Sequence, residues 1–196
     1  MTNMSKMKRL LSVGLATVMS LGFATGAFAS TQQQNDVDIT IKSGEFSLAL
    51  STIQSFGDIE LKSTPQTYKT SFDNKFTVKD LRGTQAGWRV DVSASPFSNG
   101  ENTLPTGTLS LEPVSTIERV GTGQGSLPKN VMDSNKVIDD GTVSVLQATS
   151  GSGMGVFEFA FPSDALSVII DPTTAKATEN GSAYVSTLAW DLVQAP

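Results

Sequence analysis

The 196-residue chain carries 14 Lys and Arg against 19 Asp and Glu, a net charge of −5, and has no histidine and no cysteine. That acidic balance disfavours nucleic acid and anionic lipid as partners, since both need a positive surface. Without His or Cys the commonest general base, the usual zinc ligands and the thiol nucleophile are gone, and the fold must rest on a core without disulfides.

The chain opens with the basic "MTNMSKMKR", then the uncharged apolar run "LLSVGLATVMSLGFATG", then Ala27 and Ala29 of "AFA". This order predicts a signal peptide over residues 1–29, cleaved before Ser30. The apolar run approaches the roughly 17–25 residues of a membrane span. Its glycines, serines and threonines and the AxA ending favour the signal peptide, and no second apolar stretch follows. The expected mature chain, 30–196, is therefore secreted, with no membrane association after cleavage. Removing Lys6, Lys8 and Arg9 leaves it 11 basic against 19 acidic residues, a charge of −8. Its length suits one domain with its own core.

Residues 30–36, at the start of "STQQQNDVD", lack apolar periodicity and are expected to form a mobile arm. From Val37 onward the segments alternate with period two between turn residues. "VDITIKSGEFSLALS" sets Val37, Ile39 and Ile41 in alternation, then Phe46, Leu48 and Leu50 after Ser43 and Gly44. "IELKS", "KFTVKDLR", "WRVDVSAS", "GTLSLEPV", "GTVSVLQAT", "MGVFEFAFP", "LSVIIDP" and "SAYVSTLAWDLVQAP" read the same way. No helical period is sustained. The expected fold is all-β, an antiparallel β-sandwich or barrel-like single domain. Its one long polar loop is expected over residues 116–141, "TIERVGTGQGSLPKNVMDSNKVIDDG".

The only two tryptophans share one local arrangement. Trp88, Val90 and Val92 fall on one face of their strand, with Arg89 and Asp91 on the other. Leu188, Trp190 and Leu192 fall on one face of the last strand, with Asp191 on the other. Buried strand residues are the plain account of the rings, because tryptophan buries well. The alternative is an exposed aromatic platform on which sugar rings stack.

Three further stretches attract a chemical reading. "LPTG" at Leu104 to Gly107 is one residue short of the sortase signal LPxTG and lacks an apolar tail, so a turn explains it better. "DSNKVIDDG" offers Asp133, Asn135, Asp139 and Asp140, but Val137 stands where a calcium loop needs oxygen. Glu45, Asp58, Glu60, Glu118 and Glu158 are glycosidase carboxylates by residue type alone, since nothing pairs them in sequence. No catalytic residue, cofactor or metal site is assigned, and the chain is not expected to be an enzyme.

The motifs together resemble the WxL domain of Gram-positive surface proteins. "VKDLRGTQAGWRVDVSASPF" resembles its first motif through Asp80, Arg82-Gly83, Gly87-Trp88 and Ser95-Pro96-Phe97. "GSGMGVFEF" resembles its glycine-rich middle, and "NGSAYVSTLAWDLVQAP" its last motif through Gly181, Tyr184, Leu188, Trp190, Leu192 and Ala195-Pro196. Val90 departs from the leucine of the family name, and Val156-Phe157 stands where the family often has tryptophan. The resemblance implies a WxL cell wall-binding domain over residues 30–196, attached non-covalently to the wall with peptidoglycan as ligand and both tryptophan motifs required. It also implies action beside other surface proteins of the same cell; the alternative is an interaction subunit of a cell-surface assembly that binds a larger surface protein or host matrix proteins rather than glycan. The expected ligand-binding set is Trp88, Arg89, Val90, Asp91, Tyr184, Trp190, Asp191 and Leu192.

Overall fold

The computed structural model describes residues 37–177 and 181–194. The predicted signal peptide and the arm over residues 30–36 lie outside the described residues. By its contacts the chain divides into Met1–Ile39, described only from Val37, and Thr40–Pro196, which holds the strands found among the described residues.

Twelve strands follow in chain order: β1 (Phe46–Ala49), β2 (Gln66–Thr70), β3 (Phe76–Asp80), β4 (Trp88–Ala94), β5 (Leu109–Leu111), β6 (Thr116–Val120), β7 (Lys129–Asn130), β8 (Lys136–Val137), β9 (Val143–Ala148), β10 (Gly155–Ala160), β11 (Leu166–Ile170) and β12 (Leu188–Gln194). They form three four-stranded sheets, ordered β1-β3-β10-β6, β2-β11-β5-β8 and β12-β4-β9-β7, with every pairing antiparallel. The described residues are thus all-β, as the alternation predicts, with the strands spread over three sheets rather than two.

The alternating positions build the core. Phe76 and Val78 of β3, Phe157 and Phe159 of β10, and Val90 and Val92 of β4 are wholly buried. Phe76 stacks on Phe159 at 5.0 Å between ring centroids, and Phe161 meets Phe76 edge-on at 5.5 Å. Leu109, Leu111, Leu166 and Val168 carry the same core into the second sheet.

The structure departs from the sequence pattern at four places. Residues 37–45 are not a strand: pairing starts where Gly44 donates to the Leu81 carbonyl, and Val37, Ile39 and Ile41 stay exposed. "IELKS" runs unpaired beside β2, where Tyr68 Oη donates to the Glu60 carbonyl. "QTYKT" is the strand instead, although Tyr68 is its one large apolar residue.

The predicted long polar loop contains β6, β7 and β8. In β6 the half-buried positions are Ile117 and Arg119, so a charged residue sits where an apolar one announces a strand. The Arg119 guanidinium lies 4.5 Å over the Phe157 ring and donates to the Met154 carbonyl at 2.8 Å. Finally, the terminal strand begins at Leu188 rather than Tyr184, with Val185 making only an isolated bridge to Ser98.

"LPTG" forms a turn on a buried Leu104. Gly107 N donates to Asp139 Oδ1 at 3.1 Å, and Thr108 donates to Oδ2 through both its amide and its hydroxyl. The buried Asp139 is thereby committed to that turn, satisfied as a buried carboxylate must be.

Candidate functional site

The two tryptophan motifs are neighbouring strands. β12 runs antiparallel to β4 with Gln194 opposite Trp88, Leu192 opposite Val90, Asp191 opposite Asp91, and Trp190 opposite Val92. Residues directly opposite share a face, so Trp88, Val90, Val92, Leu188, Trp190 and Leu192 form one inward layer.

Within that layer Trp88 is wholly buried, 6.0 Å from the Phe157 ring, and its Nε1–H donates to the Gly153 carbonyl at 2.8 Å. The glycine-rich stretch exists for this approach. At Gly153 φ is +81°, and a Cβ there would lie 2.3 Å from the Ala148 Cβ and 2.7 Å from Trp88 Nε1. Trp190 is half-buried among Phe72, Phe76 and Phe161, with centroids 6.1, 4.9 and 5.9 Å away. Both rings therefore pack as core, and Trp88 leaves no face for a sugar to stack on.

A buried ion pair fixes the entry to β4. Asp80 is 1% exposed, and Arg82 donates to its Oδ1 and Oδ2 at 2.9 Å each. Arg82 also donates to the Gly87 carbonyl and, through Nη1, to Gln194 Oε1 at 2.8 Å, while its guanidinium lies 3.6 Å over the Phe46 ring. The Asp80 carboxylate raises the Arg82 pKa above its ordinary value. Four parts of the chain, including the end of β12, are tied at this one side chain.

The outward face presents two polar rows across the sheet. One row sets Val193, Arg89, Gln147 and Lys129 side by side, and the next sets Asp191, Asp91 and Ser144. A bulge at Val145 brings Ser144 opposite Asp91, and the Ser144 hydroxyl donates to Asp91 Oδ1 at 2.7 Å. Arg89 Nε donates to both Asp91 oxygens at 2.8 Å, which leaves Asp91 only 6% exposed on a nominally outward position. Asp191 is exposed and has no ion pair or side-chain hydrogen bond among the described residues. Like charges opposite each other are unfavourable; Arg89 offsets this for Asp91 and leaves Asp191 as the free acceptor.

Of the eight residues expected from sequence, seven lie on these two strands. Tyr184 does not join them. It precedes β12, and its hydroxyl donates to the Lys176 carbonyl at 3.0 Å. Ser144, Gln147 and Lys129 share the outward side with Arg89, Asp91 and Asp191 but carry no signal in the sequence, because polar residues on β9 and β7 gain meaning only from their register with β4.

The structure does bring two of the acidic candidates together. Glu118 and Glu158 face each other across β6 and β10, with Lys75 Nζ 2.7 and 3.3 Å from them. The pair raises the Lys75 pKa, Glu118 contributing most. Among the described residues no group of three or more His, Cys, Asp or Glu is placed to hold a metal ion.

No curated protein and no solved structure gives a significant match to the chain. The family model described as WxL domain surface cell wall-binding matches residues 29–196, over four-fifths of the sequence. With both motifs found on adjacent strands, the chain belongs to the WxL domain surface cell wall-binding family and is a cell wall-binding protein of the cell surface.

Proposed function

We propose that the protein attaches to the wall by holding peptidoglycan on the outward face of β12-β4-β9-β7, without catalysis. The observation that carries this is the pairing of the two motif strands, which sets Arg89, Asp91 and Asp191 together on the outward side of the sheet, where Arg89 and Asp191 reach solvent and the sheltered Asp91 anchors Arg89. The Arg89 side chain is 35% exposed and engages Asp91 through Nε, so its terminal nitrogens are left to donate to stem-peptide carboxylates or carbonyls. Asp191 accepts from sugar hydroxyls and amide N–H groups. Trp88, Val90, Trp190 and Leu192 serve binding by holding the two strands in register, and Tyr184 fixes the approach to β12.

The Glu118–Glu158 pair supports a binding role over hydrolysis, since both acids spend their charge on Lys75 on an open sheet face rather than in a cleft. Co-sedimentation with peptidoglycan stripped of protein and teichoic acid tests the reading. The Arg89→Ala/Asp191→Ala variant is expected to keep its melting temperature within a few degrees and lose binding at least tenfold. Full binding by this folded variant would remove the face from consideration, and muropeptides released from purified walls would restore the hydrolase.

A second reading rests on the other side of β12. Among the described residues this seven-residue strand pairs only with β4, which leaves its far edge for strand addition by a larger surface protein or a host matrix protein. A pull-down from wall extracts before and after glycan digestion separates the two readings. A partner lost on digestion speaks for glycan.

A further inference from the structure

Two charges of opposite sign stand unpaired on the outward face of β12-β4-β9-β7. Arg89, Gln147 and Lys129 share one row on three neighbouring strands, and Asp191 and Asp91 share the next. Asp91 is sheltered and taken up by Arg89 Nε and the Ser144 hydroxyl. Lys129 and Asp191 are exposed, and neither has an ion pair among the described residues. The half-buried Gln147 side chain, between Arg89 and Lys129, has no hydrogen-bond partner among them either. A charge with no counter-charge in its own fold is free to meet one on a ligand.

Strand spacing sets the distances. Neighbouring strands lie about 4.8 Å apart, so the backbones at Arg89 and Lys129 are about 9.6 Å apart with Gln147 midway. A carboxylate placed over Gln147 is within reach of the Arg89 terminal nitrogens, the Gln147 amide and the Lys129 ammonium. Asp191 lies three strands from Lys129 and two residues along, about 16 Å away, which an extended peptide crosses in about five residues. The face thus has a cationic end and an anionic end at peptide spacing. Of the two parts of peptidoglycan, the glycan of N-acetylated sugars is neutral. The stem peptide bears carboxylates and, where it is not cross-linked, an amino group. Only the stem peptide complements both ends.

On the reading that this face binds peptidoglycan, we propose that it selects the charged stem peptide, with Lys129 and Gln147 as specificity residues for its carboxylate. The peptide lies across the four strands, with a carboxylate on Arg89, Gln147 and Lys129 and its ammonium on Asp191. A stem already cross-linked through its amine loses the Asp191 contact, so the face favours wall with free stems.

The test titrates the full chain, purified from a secreting host, by NMR with the N-acetylated tetrapeptide L-Ala–γ-D-Glu–L-Lys–D-Ala, whose charges are two carboxylates and one ammonium. Amide shifts are expected at Arg89, Gln147, Lys129 and Asp191. Lys129→Glu is expected to keep its melting temperature, because the side chain is exposed, and to weaken peptide binding about tenfold by setting like charge against the carboxylate. Lys129→Arg keeps the charge and is expected to keep the binding. Two neutral probes are expected to bind about tenfold more weakly than the charged peptide: the same peptide amidated at its carboxylates and acetylated at its amine, and glycan strands freed of peptide by an amidase. Equal affinity of Lys129→Glu and the unaltered protein, equal binding of either neutral probe, or no tetrapeptide binding would each overturn the selection. Co-sedimentation of Arg89→Ala/Asp191→Ala with whole peptidoglycan judges the face separately. Lost binding there, beside an unaffected Lys129→Glu, keeps the face and removes the stem peptide as what it reads.

Discussion

The indole N–H of Trp88 and the carbonyl of Gly153, 65 residues apart, form a fully buried hydrogen bond of 2.8 Å. This bond joins the first tryptophan motif to the glycine-rich middle of the domain, so the two are one packing unit rather than separate signals. The last motif adds the neighbouring strand, and Arg82 ties its end back to the first. Trp88, Val90, Trp190 and Leu192 of the two motifs line the inward side of one strand pair.

Trp88→Phe keeps most of the ring volume but strands the Gly153 carbonyl, and an unsatisfied buried acceptor costs about 1–3 kcal/mol. Trp88→Ala adds a cavity and is expected to cost about 3–5 kcal/mol. Gly153→Ala meets both a positive φ and the Ala148 side chain, and should be at least as damaging as Trp88→Phe. Urea denaturation ranks them. Equal stability of Trp88→Phe and the unaltered protein would deny the bond any weight.

Val90 stands where the family name has leucine, and its burial settles how that departure acts. The side chain is wholly buried opposite Leu192, facing away from the proposed binding surface. Val90→Leu pushes one methylene into a filled core, at a cost of about 1–3 kcal/mol. Wall binding of the folded variant is expected to match the unaltered protein. A binding gain of tenfold or more would show that the position is read by the ligand after all.

Much of this was legible in the sequence because alternation survives wherever a strand has one buried face. Trp88, Val90 and Val92 point inward as the period demands, and β3, β9, β10 and β11 fall where the pattern puts them. The pattern failed where burial and alternation part company. At Val37, Ile39 and Ile41 the alternation is present and no strand among the described residues pairs with it; in β6 Arg119 hides an inward position by lying over Phe157. The candidate site was legible along each strand but not across strands. Asp91 reads as solvated, and its contacts with Arg89 and with Ser144, brought opposite by the Val145 bulge, make it a buried acceptor. Tyr184 reads as part of the last strand and stands outside it.

Among the described residues, Asp80 and Arg82 form the one ion pair in which both side chains are largely sheltered, 1% and 13% exposed. Removing one member of such a pair leaves a buried charge, a loss of about 3–5 kcal/mol. Asp80→Ala is expected in that range. Arg82→Lys keeps the charge but loses the two-pronged geometry, the contact with Gln194 and the planar stacking on Phe46, and should recover less than half of it. Amide exchange at Gln194 would then accelerate while exchange at Val92 changes little. Equal acceleration at Gln194 and at Val92 of β4 would instead mean that Arg82 supports the whole sheet.

Asp73 ties Thr52 and Gln54 to the segment before β3. It accepts hydrogen bonds from the Thr52 hydroxyl and the Gln54 amide, with Thr52 the larger cause, and these hold its pKa below the ordinary 3.8. A carboxyl with a depressed folded-state pKa contributes stability that is fully present above its unfolded value and is lost as pH falls through the folded one. Asp73→Asn is therefore expected to melt earlier than the unaltered protein at pH 7, and the gap should narrow as pH drops below 3.8. Glu45 and Asp171 are depressed by their own partners in both proteins, so their titration cancels in the comparison. A gap that stays constant from pH 7 to pH 2 would assign the effect of Asp73→Asn to side-chain shape and leave the carboxylate charge no part in it.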